Sequence, residues 1–459
     1  MVIAHNMNER LKRRGIWKRD FHLIEYNGGN YLFHTPTLMF FEIDDLAYER
    51  LKYGSRKLGR RALNKLEEKY GRKSVLEVEK ELLSLSCSKR SLGSIDSRDQ
   101  IETISLNVAQ TCNLRCSYCY AKDGTFGSEK KLMDEKTAFK AVDFFTPKAR
   151  KGKLHIRFFG GEPLLNFKLI EKIVEYIKKK KEKASFRYSV VTNGTLFDKR
   201  IVRFLKDNKF WVTVSIDGPS KLHNRNRVYG DGRGSFLDIE KGLRLIKDCG
   251  GIERLGCRVT VADRNLDFVK MFRWLIGKGF NKVHFTPKTV IGGKGCGTDW
   301  RMMKNGMEKL FEYAGRMIRR GETDLDRYGN FSYLLDRLDG EDVTHYSCGA
   351  GRSYAGVDVR GTFYLCHRFT NRADFVLGDV EHGIKKISKT AGVDKNLVCS
   401  YCFAKYLCGG SCYFDNYLTN GDITRPNQSF CEYNKDLIYW IMMLYIEVKK
   451  RKMLKKESK

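Results

Sequence analysis

Between residues 103 and 290 short β-branched and aromatic runs alternate with longer amphipathic ones, and no other feature restricts the fold as tightly. Strand-like segments are residues 104–108, 154–159, 187–191, 211–215, 255–259 and 282–286, with a helix expected over about 169–179. Repeated strand–helix units require a parallel sheet with right-handed crossovers. About six such units make a partial (β/α) barrel, α/β in class, with its chemistry at the C-terminal ends of the strands.

Directly after the first of these strands comes Cys112-Asn-Leu-Arg-Cys116-Ser-Tyr-Cys119, a C-x3-C-x2-C spacing. Three thiolates this close can hold three corners of an iron–sulfur cube and leave one iron open. The alternative is a structural zinc site, for which paired C-x2-C elements are expected. The spacing resembles the signature of the radical S-adenosylmethionine (SAM) enzymes. That resemblance implies a 4Fe–4S cluster on Cys112, Cys116 and Cys119 whose open iron chelates the methionine end of SAM. Reductive cleavage of SAM would then give a 5′-deoxyadenosyl radical that takes hydrogen from a substrate.

Further motifs fall at later strand ends. Gly160-Gly161-Glu162-Pro163 matches the family's GGEP element, so by resemblance Glu162 and its neighbours hold the methionine amino group. On its own the turn is also what any backbone needing positive φ would use. Thr192-Asn193-Gly194-Thr195 resembles the ribose-contacting segment, and Tyr118 matches the position against the adenine. Ser215-Ile-Asp217-Gly-Pro219 with His223-Asn-Arg-Asn-Arg227 resembles S-x-D-G-P…H-D-x-x-R, with Asn224 in place of the usual aspartate. Arg258, near the end of a later strand, is expected to neutralise the cofactor carboxylate; a surface ion pair is the alternative.

Seven more cysteines lie in the C-terminal third: Cys348, Cys366, Cys399, Cys402, Cys408, Cys412 and Cys431. With Gly361 they follow C…G-x4-C, then C-x2-C-x5-C-x3-C and a last cysteine, which resembles the SPASM pattern. The resemblance implies two auxiliary 4Fe–4S clusters, three clusters in all. Cys399, Cys402, Cys408 and Cys431 would hold one completely; Cys348, Cys366 and Cys412 would hold the other and leave it one ligand short. That position is open to a substrate thiolate, a soft ligand suited to iron, unless Cys257 or Cys296 closes it.

His367 follows Cys366 where anaerobic sulfatase-maturing enzymes carry an aspartate. The stretch through Phe369 looks more like the maturases of six-cysteine peptides and of quinohemoprotein amine dehydrogenase, which install thioethers. The expected function is therefore an oxidoreductase that joins a cysteine sulfur to carbon in a ribosomally made peptide or protein. His367 is the catalytic candidate, either assisting deprotonation or packing beside the cluster. The rival enzymatic readings are a carbon–carbon crosslink and sulfatase-maturase-like oxidation. The non-enzymatic rival is an iron–sulfur electron-transfer or peptide-binding protein.

The formal charge is +31, which suits either a solvated basic surface or an acidic partner. Residues 21–43 form short strands around Asn27-Gly28-Gly29-Asn30, and Asp44 or Asp45 is placed to cap a helix. This small module, expected to stand apart, resembles the leader-binding elements of peptide-modifying radical enzymes. A plain packing extension is the alternative. The expected division is 1–95 for this α+β module and linker, 96–310 for the barrel, and 311–459 for the cysteine-rich domain with its basic helix. Expected partners are a substrate peptide and an external low-potential electron donor; nucleic acid is disfavoured, since the SPASM-type cysteine array is more typical of peptide substrates. The N-terminus shows no apolar signal-peptide core and no apolar run reaches membrane-spanning length, so the expected location is cytoplasmic.

Overall fold

A computed structural model of the protein describes residues 20–54, 58–87, 100–180, 184–262, 265–292, 297–322, 324–385, 390 and 392–457. Strands Thr103–Gln110, Lys153–Gly160, Ser185–Thr192, Trp211–Ser215, Arg254–Val261 and Lys282–Pro287 pair in that order, all parallel. Alternation along each strand separates two faces. Leu154, Ile156 and Phe158, like Leu255, Cys257, Val259 and Val261, are buried in the apolar core. His155, Arg157 and Phe159, and Gly256, Arg258 and Thr260, point to the other face, the lumen.

The helices cover the outer face for the ordinary amphipathic reason. In Phe167–Lys180 the residues Phe167, Ile170, Ile173, Val174 and Ile177 are buried, while Lys178, Lys179 and Lys180 lie in the last turn, where the helix dipole favours cations.

The barrel sheet does not end with the barrel. Tyr354–Val357 adds parallel to the first strand, with Gly356 opposite Ser105. Thr362–Tyr364 and Val376–Asp379 then continue antiparallel. The hairpin that precedes Cys366 is thereby fixed beside the first barrel strand.

Two features depart from the sequence expectation. Residue 310 lies inside the helix Lys304–Arg319, whose buried Met307, Leu310, Ala314 and Ile318 tie it to the barrel core; a boundary there would cut a continuous amphipathic element. The N-terminal sheet Phe21–Tyr26, Gly29–His34 and Met39–Ile43 does not stand apart. Ile24, Tyr31, Phe33 and Leu38 join the main core, His22 stacks on Phe403 at 4.1 Å, and Phe40 meets Tyr445 at 5.3 Å. Four large apolar residues are too many for so small a sheet to cover alone. Its local signals did hold: Asn27 and Gly28 both have positive φ in the hairpin turn, and Asp44 Oδ1 accepts from Ala47 N at 2.7 Å. The boundary at 95 lies outside the described residues. Among the described residues no helix is long and apolar enough to cross a membrane.

Candidate active site

The first barrel strand delivers the chain into the Cys112–Cys119 loop, and two other segments hold that loop in place. From one side Arg115 N donates to Val228 O at 2.7 Å and Ser117 N to Asn226 O at 2.9 Å. From the other side comes the Gly160–Glu162 turn, with Gly161 N donating to Ala109 O at 2.7 Å and Glu162 N to Thr111 O at 2.9 Å. A Cβ on Gly161 would lie 2.2 Å from Thr111 O, and one on Gly160, at φ +141°, 2.2 Å from Ala109 O. Here the glycines are required by the close passage of the cysteine loop's own backbone.

Glu162 is fully buried behind this turn. Its Oε1 accepts from Leu164 N at 3.1 Å and Thr192 Oγ1 at 2.7 Å, and its Oε2 accepts from Asn193 N at 2.7 Å. Burial raises its pKa to about 7 against these three donors. Asn193 Nδ2 reaches Asn113 Oδ1 at 2.8 Å and lies 3.8 Å from Cys112 Sγ. Leu114 N donates to Cys112 Sγ at 3.4 Å. Cys112, Cys116 and Cys119 act on one another electrostatically, and burial first, then Glu162, pushes Cys112 up to about 12. Polar N–H groups aimed at clustered thiols are the surroundings an iron–sulfur cube uses. Among the described residues no three His, Cys, Asp or Glu side chains converge closely enough to hold a single metal ion. A cube binds each thiolate to a different iron and does not require them to converge.

Beyond the loop lies a charged cluster drawn from the Ser215–Pro219 and His223–Arg227 motifs, to which the sequence alone assigns no role. Arg227 pairs with Asp217 at 3.1 Å, both side chains under a tenth exposed. Tyr118 donates its hydroxyl to Asp217, and the Arg227 guanidinium stands 5.4 Å from the Tyr118 ring. Arg227 also acts on Cys116. Asp217 Oδ1 accepts from Thr260 N at 2.9 Å. His223 supports the group from beneath: its Nδ1 accepts from Asp217 N at 3.2 Å and its Nε2 meets Ser235 Oγ at 3.0 Å. Asn224 Oδ1 accepts from Phe236 N at 3.1 Å, a helix-starting task that an amide performs as an aspartate would. A cavity of about 490 Å³ opens beside Asp217, Asn226, Thr260 and Ala262, within the range of small-molecule sites.

The seven later cysteines form two sets. Cys366 is acted on by Cys412 and Cys348; Cys408 by Cys402, Cys431 and Cys399. Arg368 lies 3.5 Å from Cys412 Sγ and pairs with Asp415 at 3.2 Å. Tyr120 joins the two ends of the lumen, since both Cys119 and Cys366 raise its pKa after burial has done so. Cys257 is no ligand for either set: it is 2% exposed on the outward, apolar face of its strand. Cys296 lies outside the described residues.

The structure thus gathers Tyr118, Gly160, Gly161, Glu162, Thr192 and Asn193 around the first three cysteines. It does not bring Arg258 there. The groups acting on Arg258 are Arg157, Tyr120 and Arg368, on the side of the lumen toward Cys366. His367 shares that side, with Nδ1 hydrogen-bonded to the Tyr354 hydroxyl and its ring 4.4 Å from Phe159. Burial, then Arg157, Arg368 and Arg258, hold His367 well below its ordinary pKa, so the imidazole is neutral.

Comparison with known proteins agrees with this geometry. Residues 106–275 match the model of the radical SAM superfamily. The chain is 35% identical over 188 residues to an uncharacterised protein of Methanocaldococcus jannaschii, covering 41% of this chain and 63% of that one. It is 31% identical over 179 residues to a cysteine-type anaerobic sulfatase-maturating enzyme of Clostridium perfringens, covering 38% and 48%. These matches span less than two thirds of each relative. In fold the chain resembles native anSMEcpe with bound AdoMet (TM-score 0.63, 21% identity, covering 76% of this chain and 99% of that one). It also resembles Streptococcus suis SuiB bound to its precursor peptide SuiA (TM-score 0.51, 15% identity, covering 90% and 98%).

Proposed function

We propose that this protein matures a ribosomally made peptide or protein by joining a cysteine sulfur to carbon. The observation that supports the reading is the three-thiol set Cys348, Cys366 and Cys412, whose neighbour Arg368 lies 3.5 Å from Cys412 Sγ and 5.1 Å from the ring of Tyr120, the residue after Cys119. With SAM bound, the cluster on Cys112, Cys116 and Cys119 supplies a 5′-deoxyadenosyl radical for hydrogen abstraction.

The residues of the chain divide the remaining work. Arg227, rather than Arg258, faces the anionic end of the cofactor, because it lies beside Tyr118 and Cys116. Asp217 and His223 hold Arg227 in place, and Glu162 with Asn193 keeps the opposite wall rigid. Cys399, Cys402, Cys408 and Cys431 supply four thiolates to one auxiliary cluster. Cys348, Cys366 and Cys412 supply three to the other, leaving a position that a peptide thiolate suits by softness. His367 holds Tyr354 at the lumen wall rather than accepting a proton, as its neutral state and three arginine neighbours favour. The N-terminal sheet offers strand edges for a leader peptide, and an external low-potential donor supplies electrons.

The sulfatase-maturating relative and the likeness in fold to precursor-bound SuiB support modification of a peptide or protein in general. The test is co-expression with any short cysteine-containing reading frame found beside the gene. A thioether product has lost two hydrogens and one alkylatable thiol. A product that keeps every thiol while losing hydrogen would replace this reading with carbon–carbon crosslinking. Cys112→Ala/Cys116→Ala/Cys119→Ala should abolish both product and deoxyadenosine.

A further inference from the structure

The lumen carries two cations that no described residue neutralises. Strand alternation sends Ile156, Phe158, Cys257 and Val259 outward, and therefore turns Arg157 and Arg258 inward. The two act on each other, and Arg157 stands 5.9 Å from the Tyr354 ring. Their neighbour Arg368 is satisfied by Asp415 at 3.2 Å and Thr289 Oγ1 at 3.0 Å. Arg157 and Arg258 have no hydrogen-bond or carboxylate partner among the described residues. The histidines beside them, His367 and His284, bring no counter-charge in either protonation state.

Other groups in the lumen also lack partners. Thr286 Oγ1, on the strand next to Arg258 and in register with Thr260, is a buried hydroxyl with no hydrogen bond. Asn107, fully buried on the first strand, leaves its Oδ1 unpaired while its Nδ2 donates to Thr370 Oγ1 at 2.8 Å. Two adjacent like charges repel one another, and a visiting counter-charge relieves that repulsion. Arg258 is exposed in the lumen, where an incoming ligand can reach it.

We propose that Arg157 and Arg258 are the recognition site for a carboxylate of the substrate peptide, held in the lumen between the two three-thiol sets. Guanidinium forks match a carboxylate in charge and planar geometry. The hydroxyl of Thr286 adds a donor to the carboxylate, and Asn107 Oδ1 an acceptor for a peptide N–H. The carboxylate comes from an acidic side chain or from the peptide C-terminus. This rests on the peptide-maturase reading above and narrows its substrate class.

The probe is a synthetic solution library of cysteine-containing peptides, made with free and with amidated C-termini. It is selected on the cluster-loaded, SAM-bound full chain and read by mass spectrometry. Retained peptides should carry Asp or Glu at a fixed distance from cysteine, or should be retained only with a free C-terminus; the two patterns separate the two sources. In Arg157→Gln/Arg258→Gln that enrichment should fall about tenfold, with SAM affinity unchanged and thermal stability no lower, because unpaired charges have been removed. Arg157→Lys/Arg258→Lys should recover part of it, and Arg157→Gln alone serves if the double variant does not fold. Acidic enrichment that persists in the Gln variant belongs to the basic exterior and overturns the proposal. Loss of SAM affinity in that variant assigns the arginines to the cofactor and also overturns it. Retention of peptides without acidic preference refutes this inference alone, whereas retention of no peptide by the wild-type chain refutes the maturase reading with it.

Discussion

Asp217→Asn is the substitution that most sharply probes how the cofactor wall is built. Asp217 is 3% exposed and serves three groups at once: Arg227 at 3.1 Å, Thr260 N at 2.9 Å, and the Tyr118 hydroxyl. The amide can still accept from Thr260, but it then turns its NH2 toward Arg227 and Tyr118. A buried guanidinium is left without its counter-ion, which costs about 3–5 kcal/mol for pairs of this kind. Taking the lower figure, Tm should fall by roughly 6–12 °C for a domain of this size. Replacing both partners, as in Asp217→Asn/Arg227→Met, removes the orphaned charge and should recover stability to within about 1 kcal/mol of the wild type. Thermal and urea unfolding of the cluster-loaded chain measure both variants, and SAM binding reports the site. The reasoning is refuted if the single variant loses under about 1 kcal/mol, or if the double variant is no more stable than the single.

Other expectations follow from the same geometry. Gly161→Ala would place a Cβ 2.2 Å from Thr111 O, displacing the cysteine loop; its cluster occupancy, read from visible absorbance, should drop while the remaining cysteine sets still load. Cys348→Ala/Cys366→Ala/Cys412→Ala should remove about a third of the iron yet leave SAM cleavage detectable, measured by iron assay and deoxyadenosine yield. His223 is held neutral to about pH 4, first by burial and then by Arg227, whereas unfolded histidine takes a proton near 6.5. The unfolded state therefore binds more protons between those values, and stability falls as pH drops through that window, by about 2 kcal/mol at pH 5. His223→Asn should flatten the dependence of the urea midpoint over this range, and an unchanged slope would contradict the assignment.

Much of the fold was legible because apolar alternation and glycine placement are local signals. The six strands and the helix over 167–180 emerged where the residue pattern put them, as did the Asp44 cap. What escaped were properties of the assembled molecule. The N-terminal sheet looked separate because nothing in its own residues names Phe403 and Tyr445, hundreds of positions away, as its cover. Arg227 stood in a quoted motif, but its burial against Asp217 and Tyr118 exists only once the loop and barrel are brought together. Leu255 and Val259 face the core, so Cys257 must face it too and Arg258 must face the lumen. That single alternation excludes Cys257 as a ligand and places Arg258 across from Arg157.

The central claim is that Cys348, Cys366 and Cys412 hold a cluster whose remaining position receives a thiolate from outside the chain. It is tested most directly in the Cys112→Ala/Cys116→Ala/Cys119→Ala variant, where only the proposed auxiliary clusters would remain. Electron paramagnetic resonance of the reduced variant should shift on adding N-acetylcysteine amide and stay unchanged with the serine analogue. A spectrum indifferent to the thiol would contradict the account.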